Sequence, residues 1–216
     1  MNSKILIAVL AVALVVACAK LAMGGSSCSP DNGGSAVDSS AIVFDNIMSR
    51  TSVRAYLDHK VEDEKVEKML RAGMAAPSAL NIQPWHFVVV SDTSLLTSLA
   101  ESCPNAKMAA SAPLAIVVCG DITKASNENI RQFWVQDASA ATENILLEAN
   151  ALGLGAVWTG AYPSEERCAN IAKLLNLPDS IIPLNAIVIG YSKDKPQPKD
   201  KWNTENVSYN KYGMKQ

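Results

Sequence analysis

Hydrophobic residues after position 40 recur in patterns that predict four helices and four strands. Helical spacing of apolar residues predicts one helix that ends near 49, a second over 62–76, a long Ala-rich helix over 135–152 and a fourth over 165–175. Continuous β-branched runs predict buried strands at 87–90, 114–119, 156–159 and 184–189. The chain shows no internal repeat, so we expect one folded domain over residues 41–216.

A further apolar run, residues 5–19, precedes the fold and follows the basic residue Lys4. Its 15 residues suit the core of a signal peptide and fall short of the roughly 20 that cross a membrane. The run ends in V-V-A-C, which resembles the lipobox of bacterial lipoproteins, where the cysteine is lipidated. We therefore expect residues 1–18 to be a signal peptide with Cys18 as the lipid-bearing residue. The Gly- and Ser-rich residues 19–40 are expected to be a flexible tether.

Two other interpretations of this N-terminus stay open. Cleavage at the A-x-A sequence of Ala17 and Ala19 would leave a soluble exported protein, and an uncleaved segment that continues to Met23 would anchor the chain. Lys4 and Lys20 flank the apolar run almost symmetrically, so the positive-inside rule does not fix which side of the membrane the domain faces. We expect an exported, membrane-anchored protein at the periplasmic or outer surface, with a cytoplasmic-side anchor as the alternative.

Composition and charge argue against several classes of function. The 19 Lys and Arg against 21 Asp and Glu give a net charge of −2, which lacks the basic excess of a nucleic-acid-binding protein. The 5 cysteines and 2 histidines are widely spaced and form no C-x-x-C or H-x-x-x-H pair, so we expect no metal site. The sequence also lacks the glycine-rich fingerprints of dinucleotide-binding and triphosphate-binding loops.

Three segments are candidates for ligand binding. S-R-T-S-V-R, residues 49–54, places arginines beside hydroxyl groups, which suits phosphate oxygens. A-A-P-S-A-L-N-I-Q-P-W-H-F, residues 75–87, presents Ser78, Asn81 and Gln83 on a proline-stiffened loop, where amides can hydrogen-bond a heterocycle. G-L-G-A-V-W-T-G, residues 153–160, has glycines that permit close approach of a planar ligand. Taken singly, the segments also fit ordinary structural interpretations: a solvated turn, strand caps and the punctuation between a helix and a strand.

In this order, the three segments resemble those of the nitroreductase family of flavin enzymes, over most of the chain from residue 42 onwards. The resemblance implies an α+β fold in three layers, α-β-α, with a mostly antiparallel central sheet and a homodimer that exchanges terminal segments. It also implies FMN at the dimer interface and NAD(P)H as the electron donor. The implied reaction is ping-pong: hydride passes from NAD(P)H to flavin N5 and then to a small-molecule acceptor such as a nitroaromatic or a quinone.

The resemblance also implies which residues of this sequence contact the cofactor. Arg50 and Ser52 correspond to ligands of the phosphate and ribityl chain, and Arg54 to the catalytic positive charge beside the flavin pyrimidine. Pro77 and Ser78 are implied to come from the partner subunit. The full implied set is Arg50, Thr51, Ser52, Arg54, Pro77, Ser78, Ala79, Asn81, Gln83, Trp158, Thr159, Gly160, Lys199 and Lys201.

The sequence departs from the family pattern in two places, and its N-terminus adds a conflict. Thr51 stands where many members carry a second basic residue, and the late basic positions, Lys199 and Lys201, lack the bidentate fork of arginine. NAD(P)H is a cytoplasmic metabolite, whereas the N-terminus predicts export. The alternatives are other flavin chemistry on the same scaffold (flavin destruction, dehalogenation or azoline oxidation), a non-catalytic lipid-anchored flavin-binding protein, and a flavin-free structural lipoprotein.

Overall fold

The computed structural model of the protein describes residues 38–194 and 196–216, and its centre is a four-stranded sheet in the order β1-β2-β4-β3. All three neighbouring pairs are antiparallel, so β2 and β4 lie in the middle and β1 and β3 form the two edges. The β-branched runs form these strands, each slightly longer than predicted: Trp85–Val90 (β1), Leu114–Asp121 (β2), Gly155–Gly160 (β3) and Ile181–Gly190 (β4).

Six α-helices accompany the sheet within the described residues. Four of them are the predicted ones, and the Ser164 side chain caps the last, as expected, by accepting from the Arg167 N–H. Short 3-10 turns lie at Ala79–Asn81, Pro104–Ser111 and Thr204–Asn206. The helices are Ser39–Ser49 (α1), Asp63–Met74 (α2), Thr93–Ser102 (α3), Glu128–Arg131 (α4), Trp134–Ala151 (α5) and Glu165–Leu174 (α6).

The sequence prediction contained neither the short helix α4 nor the longer helix α3. Asp92 caps it, because its carboxylate accepts the Leu95 N–H at 2.9 Å, and Leu96 and Leu99 turn towards the core. Only Ser91 and Asp92 separate this helix from β1, so its start was interpreted as the polar boundary of that strand. Its N-cap residue followed by paired leucines was a usable signal.

The sheet is covered by helices on both faces, which gives the three-layer α+β fold. Alternate residues of the central strands enter different cores: Val117 and Val188 pack in the cluster that contains Leu96, Leu99 and Ile171 of α3 and α6. Their neighbours Ile116 and Ile187 pack in the cluster that contains Met69 of α2 and Ile145 of α5. The expected α-β-α layering is therefore observed, with α2 and α5 on one face and α3 and α6 on the other.

The described residues contain neither a membrane-spanning helix nor a cluster of metal ligands. None of the helices there is long and apolar enough to cross a membrane. Within residues 38–194 and 196–216, His, Cys, Asp and Glu side chains form no group of three or more that could hold a metal ion. The predicted signal peptide, lipobox and most of the tether fall on residues 1–37, which lie outside the described residues.

Candidate functional site

The first candidate segment lies along the exposed edge of β3. Ser52 forms a parallel bridge with Ala156, and the Val53 N–H donates to the Ala156 carbonyl at 3.0 Å. The buried Tyr56 hydroxyl lies 2.6 Å from the Val53 carbonyl oxygen and 2.9 Å from that of Val188, which ties the segment to β4. Burial raises the pKa of Tyr56, so this hydroxyl stays a neutral donor. The sequence segments 49–54 and 153–160 are therefore direct neighbours.

Gly155 makes this close approach possible. A Cβ atom at that position would lie 2.6 Å from Val53 Cγ1, which is closer than real Cβ contacts allow. The glycines of this segment were expected to leave room for a planar ligand, whereas the Val53 side chain takes the space beside Gly155. At the far end of β3, a Cβ on Gly160 would meet no atom within 4 Å, so that position has the open space that a ligand requires.

A cavity of about 740 Å³ opens beside the first segment, and its charges are mainly positive. Two arginines and two lysines face one aspartate and one glutamate, and two hydroxyls and an indole complete its polar and aromatic lining. The cavity is lined by Ile47, Met48, Arg50, Thr51, Ser52, Arg54, Glu143, Pro196, Gln197, Lys199, Asp200, Lys201 and Trp202. Six residues of the predicted cofactor set, Arg50, Thr51, Ser52, Arg54, Lys199 and Lys201, therefore share one space.

Arg50 is the most enclosed cation of this cavity. Its Nε atom lies 3.4 Å from Glu143 Oε1 on helix α5, and its side chain is 20% exposed. The glutamate is about half exposed, so solvent screens the pair and its net contribution to stability is small, on the order of 0–1 kcal/mol. An anion with two oxygens could replace this carboxylate at the guanidinium.

Helix α1 forms one wall of the cavity and is held to α5 by asparagine side chains. Asn46 Nδ2 donates to the Leu147 carbonyl, and Asn150 Nδ2 donates to the Asn46 carbonyl, each at 3.0 Å. These bonds fix the end of α1 just before the chain reaches Arg50. They set the cavity wall through polar contacts, because α1 has no buried residue in the chain described here.

The three predicted residues on β3 differ in what they can offer to a ligand. The Trp158 side chain is partly exposed. Thr159 is buried, and its hydroxyl donates to the Ala186 carbonyl at 2.6 Å, so only its backbone is available. The Gly160 carbonyl accepts from Arg167 Nη1 at 3.4 Å. These residues follow Ala156 along the strand and do not line the cavity itself.

The loop at residues 77–83 lies at the opposite edge of the sheet, directly before β1. Three of its residues adopt left-handed backbone conformations without being glycine: Leu80, Asn81 and Gln83, with φ of 50°, 56° and 51°. The Gln83 N–H donates to Ser78 Oγ at 3.0 Å, and Gln83 Nε2 donates to Asn81 Oδ1 at 3.1 Å. The predicted polar side chains are thus together, but they are bonded to one another.

None of residues 77–83 lines the cavity of the first segment. The loop precedes one edge strand, and the first segment lies against the other, so three strand spacings, about 14 Å, separate the two edges. The predicted cofactor residues therefore form two groups in one chain. Ser78, Asn81 and Gln83 belong to a different surface from Arg50, Ser52 and Arg54.

Sequence reasoning did not include several residues of these two groups, among them Glu143, Trp202 and Asp137. Glu143 and Trp202 line the cavity, and no local pattern marked either, because their neighbours in space come from distant parts of the chain. Asp137 accepts the Ala79 N–H at the base of the loop. A signal existed for Asp137: it is a charged residue on the face of α5 that Trp134 and Ala141 bury.

The fold and the site define an α+β protein with a cation-lined cavity against an edge strand and a strained polar loop at the other edge. The chain belongs to the nitroreductase family, whose model matches residues 47–105 and 100–191.

Named relatives agree with this assignment. A Methanothermobacter thermautotrophicus protein with the provisional name NADH dehydrogenase/NAD(P)H nitroreductase is 42% identical over 170 residues, which are 79% of this chain and 87% of that protein. The crystal structure of a Bacteroides thetaiotaomicron protein with the same provisional name is 48% identical, covers 79% of this chain and 98% of its own, and has a TM-score of 0.75. A Desulfovibrio desulfuricans structure, provisionally a nitroreductase in complex with FMN, is 32% identical, covers 79% and 97%, and has a TM-score of 0.67.

Proposed function

We propose that this protein is an FMN-dependent NAD(P)H oxidoreductase that reduces a small-molecule acceptor such as a nitroaromatic or a quinone. The observation that carries the proposal is the cavity beside β3, where Arg50, Arg54, Lys199 and Lys201 converge with hydroxyl donors. Such a set suits a ligand with a phosphate, several hydroxyls and a polar ring edge. The family membership and the FMN complex of the Desulfovibrio desulfuricans relative support FMN as that ligand.

The residues present fit FMN in charge, size and apolar surface. About 740 Å³ lies within the range of ligand pockets, which is roughly 300–1,000 Å³. Four cations exceed the two acidic side chains of the lining, so the cavity favours a dianionic phosphate. Ile47, Met48 and Trp202 supply apolar and aromatic surface for a flat ring. The lysines supply charge without the paired N–H donors of arginine. Bidentate binding of the phosphate is therefore assigned to Arg50.

The protein's own part in the reaction is to bind, orient and stabilise charge. FMN, when bound, accepts two electrons as hydride from NAD(P)H and passes them to the acceptor. Arg50 holds the phosphate, once Glu143 is displaced from its guanidinium or shares it. The Thr51 and Ser52 hydroxyls donate to the hydroxyl-bearing chain of the ligand. Arg54 is exposed at the cavity and supplies the positive charge that stabilises negative charge on the bound ring.

The loop at residues 77–83 is proposed to complete the site from a second copy of this chain. Its polar side chains lie at the sheet edge opposite the cavity, and in one chain the two groups share no space. A homodimer in which the β3 edge of one protomer meets the loop of the other brings them to one ligand. Ser78, Asn81 and Gln83 would then contact the same flavin ring whose negative charge Arg54 stabilises.

Export and membrane attachment through Cys18 are a separate proposal, supported by the sequence alone. The full chain, expressed in a bacterium fed radiolabelled palmitate, should incorporate label and fractionate with membranes, and Cys18→Ser should abolish the label. Label-free membrane attachment would favour an uncleaved anchor, and a soluble periplasmic product would favour simple cleavage. NAD(P)H is the physiological donor where the domain stays on the cytoplasmic side of an uncleaved anchor, and in an exported protein the electrons have to come from another donor.

The proposed function is tested by the visible spectrum of the purified protein. Protein incubated with FMN and desalted should retain the yellow flavin, and anaerobic NADH or NADPH should bleach it. Adding a quinone should then restore the colour. A retained flavin that neither nucleotide bleaches would contradict the NAD(P)H part of the proposal, and a colourless protein would contradict the cofactor.

A further inference from the structure

The loop at residues 77–83 adopts a conformation that its own residues disfavour. Left-handed backbone costs a residue other than glycine about 1–2 kcal/mol, although asparagine tolerates it better. Leu80, at φ 50°, is 76% exposed, so its side chain gains little from burial in exchange. Gln83, at φ 51°, is exposed as well. Strain of this kind persists only where surrounding contacts impose it.

Helix α5 supplies those contacts through one face. Ala141 of α5 packs with Ala76 and Trp85. Ala76 directly precedes the loop, and Trp85 follows it after Pro84. One helical turn earlier on the same face, Asp137 Oδ1 accepts the Ala79 N–H at 3.0 Å. The packing holds the two ends of the loop, and the carboxylate holds its middle.

Asp137 is an unusual residue to find in that position. It is only 5% exposed, and its second oxygen, Oδ2, is buried without a hydrogen-bond partner among the described residues. A buried carboxylate oxygen without a donor costs free energy, and an apolar residue at this position would avoid that cost. Its location in the first turn of α5, where the helix dipole favours negative charge, offsets part of it. The group is therefore expensive to keep for packing alone.

We propose that Asp137 is a positioning residue that imposes the left-handed conformation of the loop at 77–83 through the Ala79 N–H and thereby sets Ser78, Asn81 and Gln83 for the ligand. The inference rests on the proposed function in one respect, that the loop borders the flavin. The hydrogen bond and the loop conformation themselves do not depend on the flavin.

The first test is an NMR pH titration of the full wild-type chain, with Asp137→Asn as the comparison. Residues 77–83 carry no charged side chain, and Lys124 meets the loop only at the Gln83 carbonyl, at 2.9 Å. The Ala79 amide proton shift in an NMR pH titration should therefore follow a single carboxyl group, and Asp137→Asn should remove that titration. An Ala79 shift that does not titrate in the wild-type protein would overturn the proposal.

The second test compares variants by hydrogen exchange of the loop and by FMN titration. Asp137→Ala should speed exchange at residues 79–83 and raise the FMN Kd about tenfold, whereas Asp137→Asn, which keeps an accepting oxygen, should restore both. Asp92→Ala is the matched control: it also loses a carboxylate bond to a backbone N–H, at the other end of β1, and should leave loop exchange and Kd unchanged.

The outcomes separate this inference from the proposed function. A wild-type protein that binds no FMN would contradict the function, while loop exchange would still decide the role of Asp137. Unchanged exchange in Asp137→Ala, or an Asp137→Asn variant as impaired as Asp137→Ala, would overturn the positioning role.

Discussion

The two edges of the sheet carry polar segments that differ in charge and are held in different ways. At the β3 edge, the backbone of the first candidate segment, residues 49–54, pairs with Ala156, and its arginine and hydroxyl side chains line the cavity. At the β1 edge, the loop at 77–83 bonds its polar side chains to one another and is strained at Leu80 and Gln83. The first region, at the β3 edge, offers positive charge to a ligand, and the second region, at the β1 edge, offers polar side chains in a fixed conformation. A ligand that requires both has to contact both edges of the sheet.

The largest expected effect comes from breaking the contact that holds the first region. Gly155→Ala places a methyl group 2.6 Å from Val53 Cγ1, so the segment or β3 has to move. We expect a loss of about 1–3 kcal/mol in the free energy of unfolding, measured by urea denaturation, together with weaker FMN binding.

Gly160→Ala, at the open end of the same strand, is the matched control for stability. A Cβ there meets nothing within 4 Å, and the free energy of unfolding should change by no more than about 0.5 kcal/mol. Equal losses in the two variants would contradict the close approach at Gly155.

Removing the charge of the first region should weaken binding without unfolding the protein. Arg54→Ala should raise the FMN Kd about tenfold, about 1.4 kcal/mol, because the exposed guanidinium interacts with charge on the ligand. Flavin fluorescence quenching measures the Kd, and Arg71→Ala, an exposed arginine of α2 outside the cavity, should leave it unchanged. A Kd that responds equally to both variants would reduce the effect to net charge.

A smaller effect of the opposite sign is expected at Glu143. Glu143→Gln frees Arg50 from its ion pair and removes a negative charge from the cavity, so FMN should bind up to a few-fold more tightly, most clearly at low salt. Glu67→Gln, which breaks the comparable pair with Arg71 outside the cavity, should have no effect on Kd. Weaker binding in Glu143→Gln would show that the carboxylate orients the arginine for its ligand.

The subtlest expectation concerns the second region and its dependence on pH. Burial raises the pKa of Asp137, and the Ala79 N–H lowers it to a lesser extent. The folded protein therefore binds that proton more tightly than the unfolded chain does. The contribution of Asp137 to the free energy of unfolding is most favourable below the pKa of the unfolded chain, about 3.9, and is lost as the pH rises through the pKa of the folded protein. Wild-type stability relative to Asp137→Asn should fall over that window in urea unfolding. A relative rise with pH would contradict the sign.

Much of the fold could be predicted because its signals are local. The β-branched runs of β2 and β4 and the Ala-rich pattern of α5 state their structure within one window of sequence, and the cap at Ser164 does so within four residues. Helix α3 was lost where a strand and a helix nearly touch. The three candidate segments stood out because each concentrates unusual residues in a short stretch. Four predicted residues of the first segment and two of the tail do line one cavity.

The rest of the site could not be predicted because it depends on contacts between distant residues. Glu143 lies beside Arg50, and Asp137 accepts the Ala79 N–H although 58 positions separate the two residues in sequence. Both contacts arise because α5 passes both segments. The packing of Val53 against Gly155 was not predicted either, since no sequence rule indicated that Val53 would fill that space. Residues 77–83 were assigned to the ligand without any sign that their backbone would be strained.

The most direct test of the account asks whether the two edges act together from different chains. Arg54→Glu reverses one charge of the cavity, and Asn81→Gly/Gln83→Gly removes the loop amides while keeping residues that accept a left-handed backbone. Each variant alone should bind little FMN. After subunit exchange between equal amounts of the two, about a quarter of the sites should combine an intact edge from each chain and regain FMN and NAD(P)H oxidation. A mixture that binds no more FMN than the average of the two separate variants would contradict a site shared between protomers.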